Sequence, residues 1–254
     1  MADVHPDAGS RTTHTTVHQV LNSERESAFA RYWKLTFADA GPLQFALFEL
    51  ATMFLLPANG GLGLWLRKKL LRRFFGAFGA SAIIGRNCVF RHPNRIFLGN
   101  SVTIDDNCLL DARGCGSEGL HIGDHTIVSR GCTVKSKAGG IRIGRRVNIG
   151  GATQIVSHSG IGIGDDVAIG AACQINGGTF AIEEYSRRPS QRTPVSHGPI
   201  EIGPGAWLAT GVLVLDGARI GDGSVISAGS VVTQAVEPRC VAQGIPAKKV
   251  FGIR

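Results

Sequence analysis

Large aromatic side chains, paired cysteines and long apolar runs are all scarce in this sequence. Aromatic residues make up 7% of the 254 residues, which disfavours a globular core built on large rings. None of the six cysteines stands in a CxxC pair, so the sequence indicates neither a zinc ribbon nor a disulfide framework and fits a reducing cytoplasm. The apolar run 45–56 contains Glu49 and falls short of the about 20 residues that cross a bilayer.

A signal peptide and a nucleic-acid-binding pattern are also missing. Residues 1–22 are polar and rich in His and Thr, without the apolar centre of a signal peptide, and we predict a disordered tail there. The net charge of +8 is compatible with a membrane surface, nucleic acid or an anionic cofactor. No basic run is interleaved with stacking aromatics, so no nucleic-acid partner is expected. We expect a cytoplasmic protein, with the inner face of the membrane as an open alternative.

Residues 23–80 differ in character, and their pattern predicts helices punctuated by Pro42 and Pro57. Within 62–78, Leu, Trp and Phe residues alternate with basic residues at roughly helical spacing. The basic residues are Arg67, Lys68, Lys69, Arg72 and Arg73. Two interpretations stay open: an amphipathic helix that contacts an anionic membrane surface, or a helical cap over the end of the next domain.

A six-residue period begins at Ile84 and indicates a solenoid. Each unit opens with an aliphatic residue, often followed by Gly or Asp, and its fifth position is small, as in the unit IGDDVA at Ile163. Three units make one 18-residue turn, or coil, whose strands stack about 4.8 Å apart and whose aliphatic residues fill the interior. We predict a β-helix domain over 81–238, followed by a C-terminal tail, 239–254.

The small fifth position also explains most of the cysteines. Cys88, Cys108, Cys132 and Cys173 all occupy it, so we expect them to be buried structural residues. Coils longer than 18 residues gain their extra residues on the third face, and the largest insertion is the loop 179–199. Insertions on one side of a solenoid often mark its binding side.

The repeat array, the interrupting loop and the ending GIPAKK at 244–249 together resemble the left-handed β-helix (hexapeptide-repeat) acyltransferases. The resemblance covers about residues 84–254. It implies a mainly β fold, a left-handed parallel β-helix preceded by an α-helical segment, whereas the general rule for β crossovers would favour the opposite hand. It also implies a homotrimer, acetyl-CoA as co-substrate and no metal.

Two histidines are candidates for the base that acetyl transfer to a hydroxyl needs. The turn SHSG around His158 resembles the catalytic turn of serine O-acetyltransferases, and His197 resembles the histidine at that subfamily's loop exit. The resemblance implies that His158 is the general base and that His197 orients the substrate. Within the loop, Glu183 is a candidate to orient the base, and Arg188 to bind a carboxylate or phosphate on the acceptor.

The resemblance further implies a coenzyme A groove beside the C-terminal coils, between neighbouring subunits. Backbone groups of four residues would contact the pantetheine arm and two lysines would meet the phosphates. These residues are Ala209, Thr210, Ser227, Ala228, Lys248 and Lys249.

Two departures from the family pattern keep several functions open. Phe180 stands where maltose and galactoside acetyltransferases usually carry their catalytic His, and the basic apolar leader resembles that of sugar and exopolysaccharide acetyltransferases rather than serine enzymes. We expect an acetyl-CoA-dependent O-acetyltransferase acting on a sugar, glycan precursor or small metabolite. The alternatives are a serine or amino-acid O-acetyltransferase and a non-catalytic β-helix assembly protein. A zinc hydratase is disfavoured because the histidines lack a matching spacing.

Overall fold

Within the described residues, three short helices precede the β-helix. The computed structural model describes residues 27–181, 184, 186–188 and 191–253, so the predicted tail 1–22 lies outside the described residues. The helices are α1 (Ala28–Phe37), α2 (Pro42–Leu55) and α3 (Gly60–Leu71), with 3-10 turns at Arg72–Phe74 and Pro93–Arg95. Ser27 caps α1 through a hydrogen bond from the backbone N–H of Ala30 (3.1 Å), and Pro42 opens α2 where a helix needs no N–H partner.

Twenty-five short strands follow within the described residues. In chain order they are β1 (Ala77–Phe78), β2 (Ile83–Ile84), β3 (Val89–Arg91), β4 (Ile96–Leu98), β5 (Thr103–Ile104), β6 (Leu109–Asp111), β7 (Leu120–Ile122), β8 (Ile127–Val128), β9 (Thr133–Ser136), β10 (Ile141–Ile143), β11 (Asn148–Ile149), β12 (Gln154–Ser157), β13 (Ile161–Ile163), β14 (Ala168–Ile169), β15 (Gln174–Asn176), β16 (Thr179–Phe180), β17 (Pro194–Val195), β18 (Ile200–Ile202), β19 (Trp207–Leu208), β20 (Leu213–Leu215), β21 (Arg219–Ile220), β22 (Val225–Ile226), β23 (Val231–Val232), β24 (Cys240–Gly244) and β25 (Ala247–Gly252).

Apart from β16 and β17, which pair as an antiparallel hairpin, the strands form the three faces of a left-handed parallel β-helix, as expected from the sequence. Sheet A has the order β1-β4-β7-β10-β13-β18-β21, sheet B the order β2-β5-β8-β11-β14-β19-β22-β24-β25, and sheet C the order β23-β20-β15-β12-β9-β6-β3. The chain visits A, B and C in turn in successive coils. Strand β1 begins at Ala77, so the first coil starts within the segment predicted as helical.

The aliphatic residue that opens each unit lies in the interior, as predicted. In sheet B, Ile104, Val128 and Ile149 stack in register and are fully buried. Burying each such side chain stabilises the fold by about 1.5–3 kcal/mol before entropy is counted. The fifth-position cysteines are buried and unpaired, and each thiol lies near a backbone carbonyl of the next coil, as Cys132 does with Gly150 (3.2 Å). They are structural residues, as expected.

All variable insertions lie at one corner of the triangular prism. Every connection from sheet A to B and from B to C has four residues, whereas connections from C to A vary from three residues (158–160) to 23 (177–199). The prediction that insertions collect after the third face is therefore confirmed. We call this edge the C–A corner.

The helical segment caps the first coil, and one of its basic residues points inward. Arg67 is 3% exposed and donates to the carbonyls of Ile84 (2.8 Å), Leu55 (3.1 Å) and Ala58 (2.6 Å). The sequence interpretation that placed Arg67 with the other basic residues of one polar face was wrong. Lys68, by contrast, is exposed. No helix in the described part of the chain is long and apolar enough to cross a membrane.

The C-terminal segment is not a loose tail over its described length. Strand β24 adds to sheet B beside β22, and β25 turns back against β24 in antiparallel register. This hairpin closes the last coil with paired backbone groups, which an open sheet edge would leave exposed.

Candidate functional site

The C–A corner stacks Lys137, His158 and Gly178 on three successive coils. The backbone N–H of Lys137 donates to the carbonyl of Ser157 (2.8 Å). From the other side, the backbone N–H of Gly177 donates back to the carbonyl of Val156 (2.9 Å), in the coil that carries His158. Counting residues between the repeats of the sequence also puts His158 one coil below Gly178, at the root of the loop, and in the structure the two residues are in contact.

Two neighbours hold His158 in place. The buried hydroxyl of Ser157 donates to the carbonyl of Ala138 (2.8 Å) and accepts from the backbone N–H of Gly160 (2.9 Å), which fixes the turn around His158. On the other side the ring packs against Gly178. A Cβ at Gly178 would stand 2.4 Å from Cγ of His158, and the φ of +83° is one that glycine adopts freely. Glycine is therefore required where the ring meets the loop root.

The surroundings of His158 favour a neutral imidazole. Burial lowers the pKa of His158 below its usual value, and the Lys137 ammonium lowers it further. The nearby Gly177 backbone and the carboxylate of Asp216 act in the opposite direction and are outweighed. Nδ1 is buried and makes no hydrogen bond within the described structure. A neutral imidazole at neutral pH is the form that a general base requires.

Asp216 is a site residue that the sequence reasoning missed. Its Oδ1 accepts hydrogen bonds from the backbone N–H of Gly178 (2.6 Å) and from Oγ of Ser196 (2.8 Å), and its Oδ2 accepts from the backbone N–H of His197. One carboxylate thus joins the entry and the exit of the loop 179–199. The available signal was register: Leu215 pairs with Asn176, which places Asp216 directly above Gly177.

The loop exit also rests on the turn that carries His158. Ser196 Oγ, whose proton goes to Asp216, lies 2.8 Å from Ser159 Oγ, and Ser159 Oγ donates to the carbonyl of Gly198 (2.8 Å). His197 is therefore held at the site by its backbone, while its side chain is exposed. Phe180, in hairpin register with Pro194, is half exposed at the loop root.

The acidic and basic candidates of the loop are not brought to His158 by any described contact. Glu183 lies outside the described residues. Its neighbour Glu184 accepts from the backbone N–H of Thr193 (2.8 Å) and from Arg187 (3.2 Å), so it stabilises the loop itself. Arg188 is exposed, and its carbonyl accepts a hydrogen bond from the backbone N–H of Gln191 (2.8 Å).

The expected coenzyme A residues lie at a different corner. Ala209 and Ser227 follow sheet B, and their N–H groups donate to the next coil, to Ile226 (2.9 Å) and Ala242 (2.9 Å). Those two N–H groups are therefore committed to the β-helix. The exposed turn residues beside them are Thr210 and Ala228.

The two C-terminal lysines lie on strand β25. Lys249 forms an ion pair with Glu237 (2.5 Å), and Lys248 is exposed in register with Gln243. Among the described residues there is no cluster of three or more His, Cys, Asp or Glu side chains arranged to hold a metal ion.

Two family models of hexapeptide repeats match segments of this chain. The family model for the hexapeptide repeat of succinyl-transferase matches residues 101–136, and that for the bacterial transferase hexapeptide (six repeats) matches 199–234. Both matched segments lie in the β-helix, one on each side of the loop. In both of these segments the chain is similar to the hexapeptide-repeat transferases.

One curated relative of this chain is the probable acetyltransferase Rv3034c of Mycobacterium tuberculosis. The two are 29% identical over 155 residues, which is 61% of this chain and 49% of the relative, so the chain spans about half the relative's length. A solved structure with the same fold is AntD, an N-acyltransferase from Bacillus cereus, in complex with dTDP and 3-hydroxybutyryl-CoA. It is 16% identical with a TM-score of 0.53, and the alignment covers 74% of this chain and 88% of AntD.

Proposed function

We propose that this protein is an acetyltransferase that uses acetyl-CoA and acetylates a hydroxyl of a sugar, a glycan precursor or a small metabolite. The observation that carries the proposal is His158, a half-buried imidazole with a lowered pKa at the root of the inserted loop. The name of the mycobacterial relative and the acyl-CoA bound to AntD support the donor class. Since AntD is an N-acyltransferase, an amino group is the second candidate acceptor.

In the proposed mechanism His158 removes the acceptor's proton as the acceptor oxygen attacks the thioester carbon. The tetrahedral intermediate then collapses, the carbon–sulfur bond breaks, and the thiolate of coenzyme A leaves and takes the proton from His158. The N–H groups of Gly177 and Gly178 at the loop root are engaged by Val156 and Asp216, so we do not assign the stabilisation of the oxyanion to them. His197, held at the loop exit, would orient the acceptor.

The decisive experiment measures thiol release from acetyl-CoA with a panel of sugars, amino sugars, serine and other hydroxylated metabolites. We expect turnover with at least one acceptor and its loss in His158→Ala, with a smaller loss in His197→Ala. If activity survives in His158→Ala and disappears in His197→Ala, the base is His197 and not His158. Coenzyme A binding without turnover across the panel would favour the non-catalytic assembly protein, to which Phe180 in the usual histidine position points.

A homotrimer is the assembly that we propose. His158 lies at the C–A corner and Thr210 at the corner between sheets B and C, so one coenzyme A groove bordered by both needs a neighbouring copy. In this proposal Lys248 and Lys249 would meet the coenzyme's phosphates. The mass in solution tests the assembly. Co-refolding of His158→Ala with Ala228→Trp, each inactive alone, should restore part of the activity if two chains share a site.

We also propose that the helical segment contacts an anionic membrane surface. The outer side of α2 exposes an apolar stripe beside a groove that Arg73 borders. The stripe consists of Leu43, Leu47, Leu50 and Phe54. Apolar side chains combined with exposed basic ones match the interface of an anionic bilayer, and the same positive charge opposes pairing with a second copy.

Vesicle co-sedimentation tests this contact. The full chain should bind vesicles that contain phosphatidylglycerol more strongly than phosphatidylcholine vesicles, and Leu47→Gln/Leu50→Gln should lose that binding. Equal sedimentation with both vesicle types, or none with either, would count against the contact.

A further inference from the structure

Two lysines at the C–A corner stand next to the proposed base. Strand β9 ends at Ser136, which is buried, and Lys135 and Lys137 flank it on the outer side. Lys135 pairs in register with Val156, and the N–H of Lys137 donates to the carbonyl of Ser157. The two ammonium groups therefore belong to the coil immediately preceding His158, on the edge that carries the loop.

Neither lysine has a carboxylate partner within the described part of the chain. Asp111, the register partner of Lys135 one coil earlier, is 1% exposed and bound by Arg113 through Nε (2.8 Å) and Nη2 (2.5 Å). Asp216 is occupied by the loop, as described above. The positive charge of the lysine pair is thus left unneutralised at this edge.

At the other two corners, basic residues form ion pairs with carboxylates. There, basic residues pair with acidic ones a single coil away, as Arg86 does with Asp106 (2.7 Å) and Arg145 with Asp165 (2.7 Å). Lys137 has no such partner within the described residues. It is exposed, yet desolvation by the surrounding protein lowers the pKa of its ammonium group, and the charge of Lys135 lowers that pKa further. A bound anion would relieve the repulsion between the two ammonium groups.

We propose that Lys135 and Lys137 form a subsite for a negatively charged group, a phosphate or carboxylate, on the acceptor. The inference rests on the proposed function, because it takes His158 as the base. The anion belongs to the acceptor rather than to coenzyme A, since the pantetheine arm separates the phosphates of the coenzyme from its thioester. If the thioester carbon is at His158, those phosphates lie well away from it.

A kinetic experiment tests the subsite on the full-length protein. Acceptors are compared as matched sets of a neutral sugar, its phosphate and its uronic acid, with wild type, Lys135→Gln/Lys137→Gln and the exposed control Arg142→Gln. We expect the double variant to raise KM for the charged acceptors at least tenfold, with kcat within about twofold, and the control to match wild type. A fall in kcat with unchanged KM would instead assign the lysines to the transition state and overturn the subsite.

A binding experiment separates this inference from the acetyltransferase proposal. The His158 ring is followed by NMR while inorganic phosphate, pyrophosphate or acetate is added without acetyl-CoA. Bound anion should raise the pKa of His158 in wild type and in Arg142→Gln, and leave it unchanged in Lys135→Gln/Lys137→Gln. No response in wild type would overturn the subsite even if acetylation is found, whereas a response without turnover would leave the subsite standing and remove the acetyltransferase.

Discussion

The carboxylate of Asp216 accepts a hydrogen bond from the backbone N–H of His197 across the mouth of the inserted loop. The same side chain binds the N–H of Gly178, against which the His158 ring packs. The position of the proposed base and the closure of the loop therefore depend on one side chain. Asp216 touches neither ring through a described hydrogen bond, so we regard it as a positioning residue.

Asp216→Ala should release the loop without unfolding the β-helix. Hydrogen bonds to a charged group contribute about 1.5–3 kcal/mol each, and the three at Asp216 are partly solvated, so their loss falls mainly on the loop. We expect acetyl transfer to fall at least tenfold, and protease cleavage within 179–199 to become faster. Asp216→Asn keeps an acceptor oxygen, so its activity and its rate of cleavage should lie between those of wild type and Asp216→Ala. Unchanged cleavage in Asp216→Ala would contradict the assigned role.

Gly178→Ala should displace the His158 ring. The new Cβ would stand 2.4 Å from Cγ of His158, a distance that real contacts do not show, and the φ of +83° adds backbone strain. We expect a loss of activity of about tenfold or more with the melting temperature lowered only slightly. Gly116→Ala is the matched control, because its φ is also positive (+56°) but nothing lies within 4 Å of its Cβ. Similar kinetics in the two variants would rule out the ring displacement.

Much of the fold followed from the sequence because a solenoid is encoded by local repetition. Ile163 and Ile220 open units of the same form, and a fixed period places such residues in the interior regardless of distant contacts. The corner that carries the insertions, and the stacking of His158 below Gly178, followed from counting residues. These features depend on chain length between repeats, which a single sequence shows directly.

The missed features depend on contacts that the repeat does not encode. Asp216 occupies an ordinary turn position and gains its role only because the loop returns to the same edge. Arg67 has the spacing of a surface residue, yet three carbonyls near helix ends and the first coil compensate its burial. Hydrophobic periodicity distinguishes neither case from a solvated side chain.

Activity should decline on the acidic side with a midpoint that Lys137 controls. The base must be neutral, so kcat/KM is full above the pKa of His158 and falls as the pH drops through it. Burial and Lys137 hold that pKa below its usual value, so the decline should lie below about pH 6.5. Lys137→Gln removes the second cause and should shift the midpoint to higher pH, while Arg142→Gln should leave it in place. A midpoint that moves equally in both variants would speak against a specific effect of Lys137.

Arg67→Met should destabilise the helical cap far more than changes at the exposed basic residues beside it. The substitution keeps much of the apolar stem but removes the donors to Ile84, Leu55 and Ala58, leaving buried carbonyls that cost about 1–3 kcal/mol each when unpaired. We expect a total loss of about 2–5 kcal/mol in the free energy of unfolding, measured by urea denaturation. Lys68→Met, at an exposed position on the same helix, should stay within about 0.5 kcal/mol of wild type. If the two variants unfold at the same urea concentration, Arg67 does not join the helices to the first coil, and the cap is held by its apolar contacts alone.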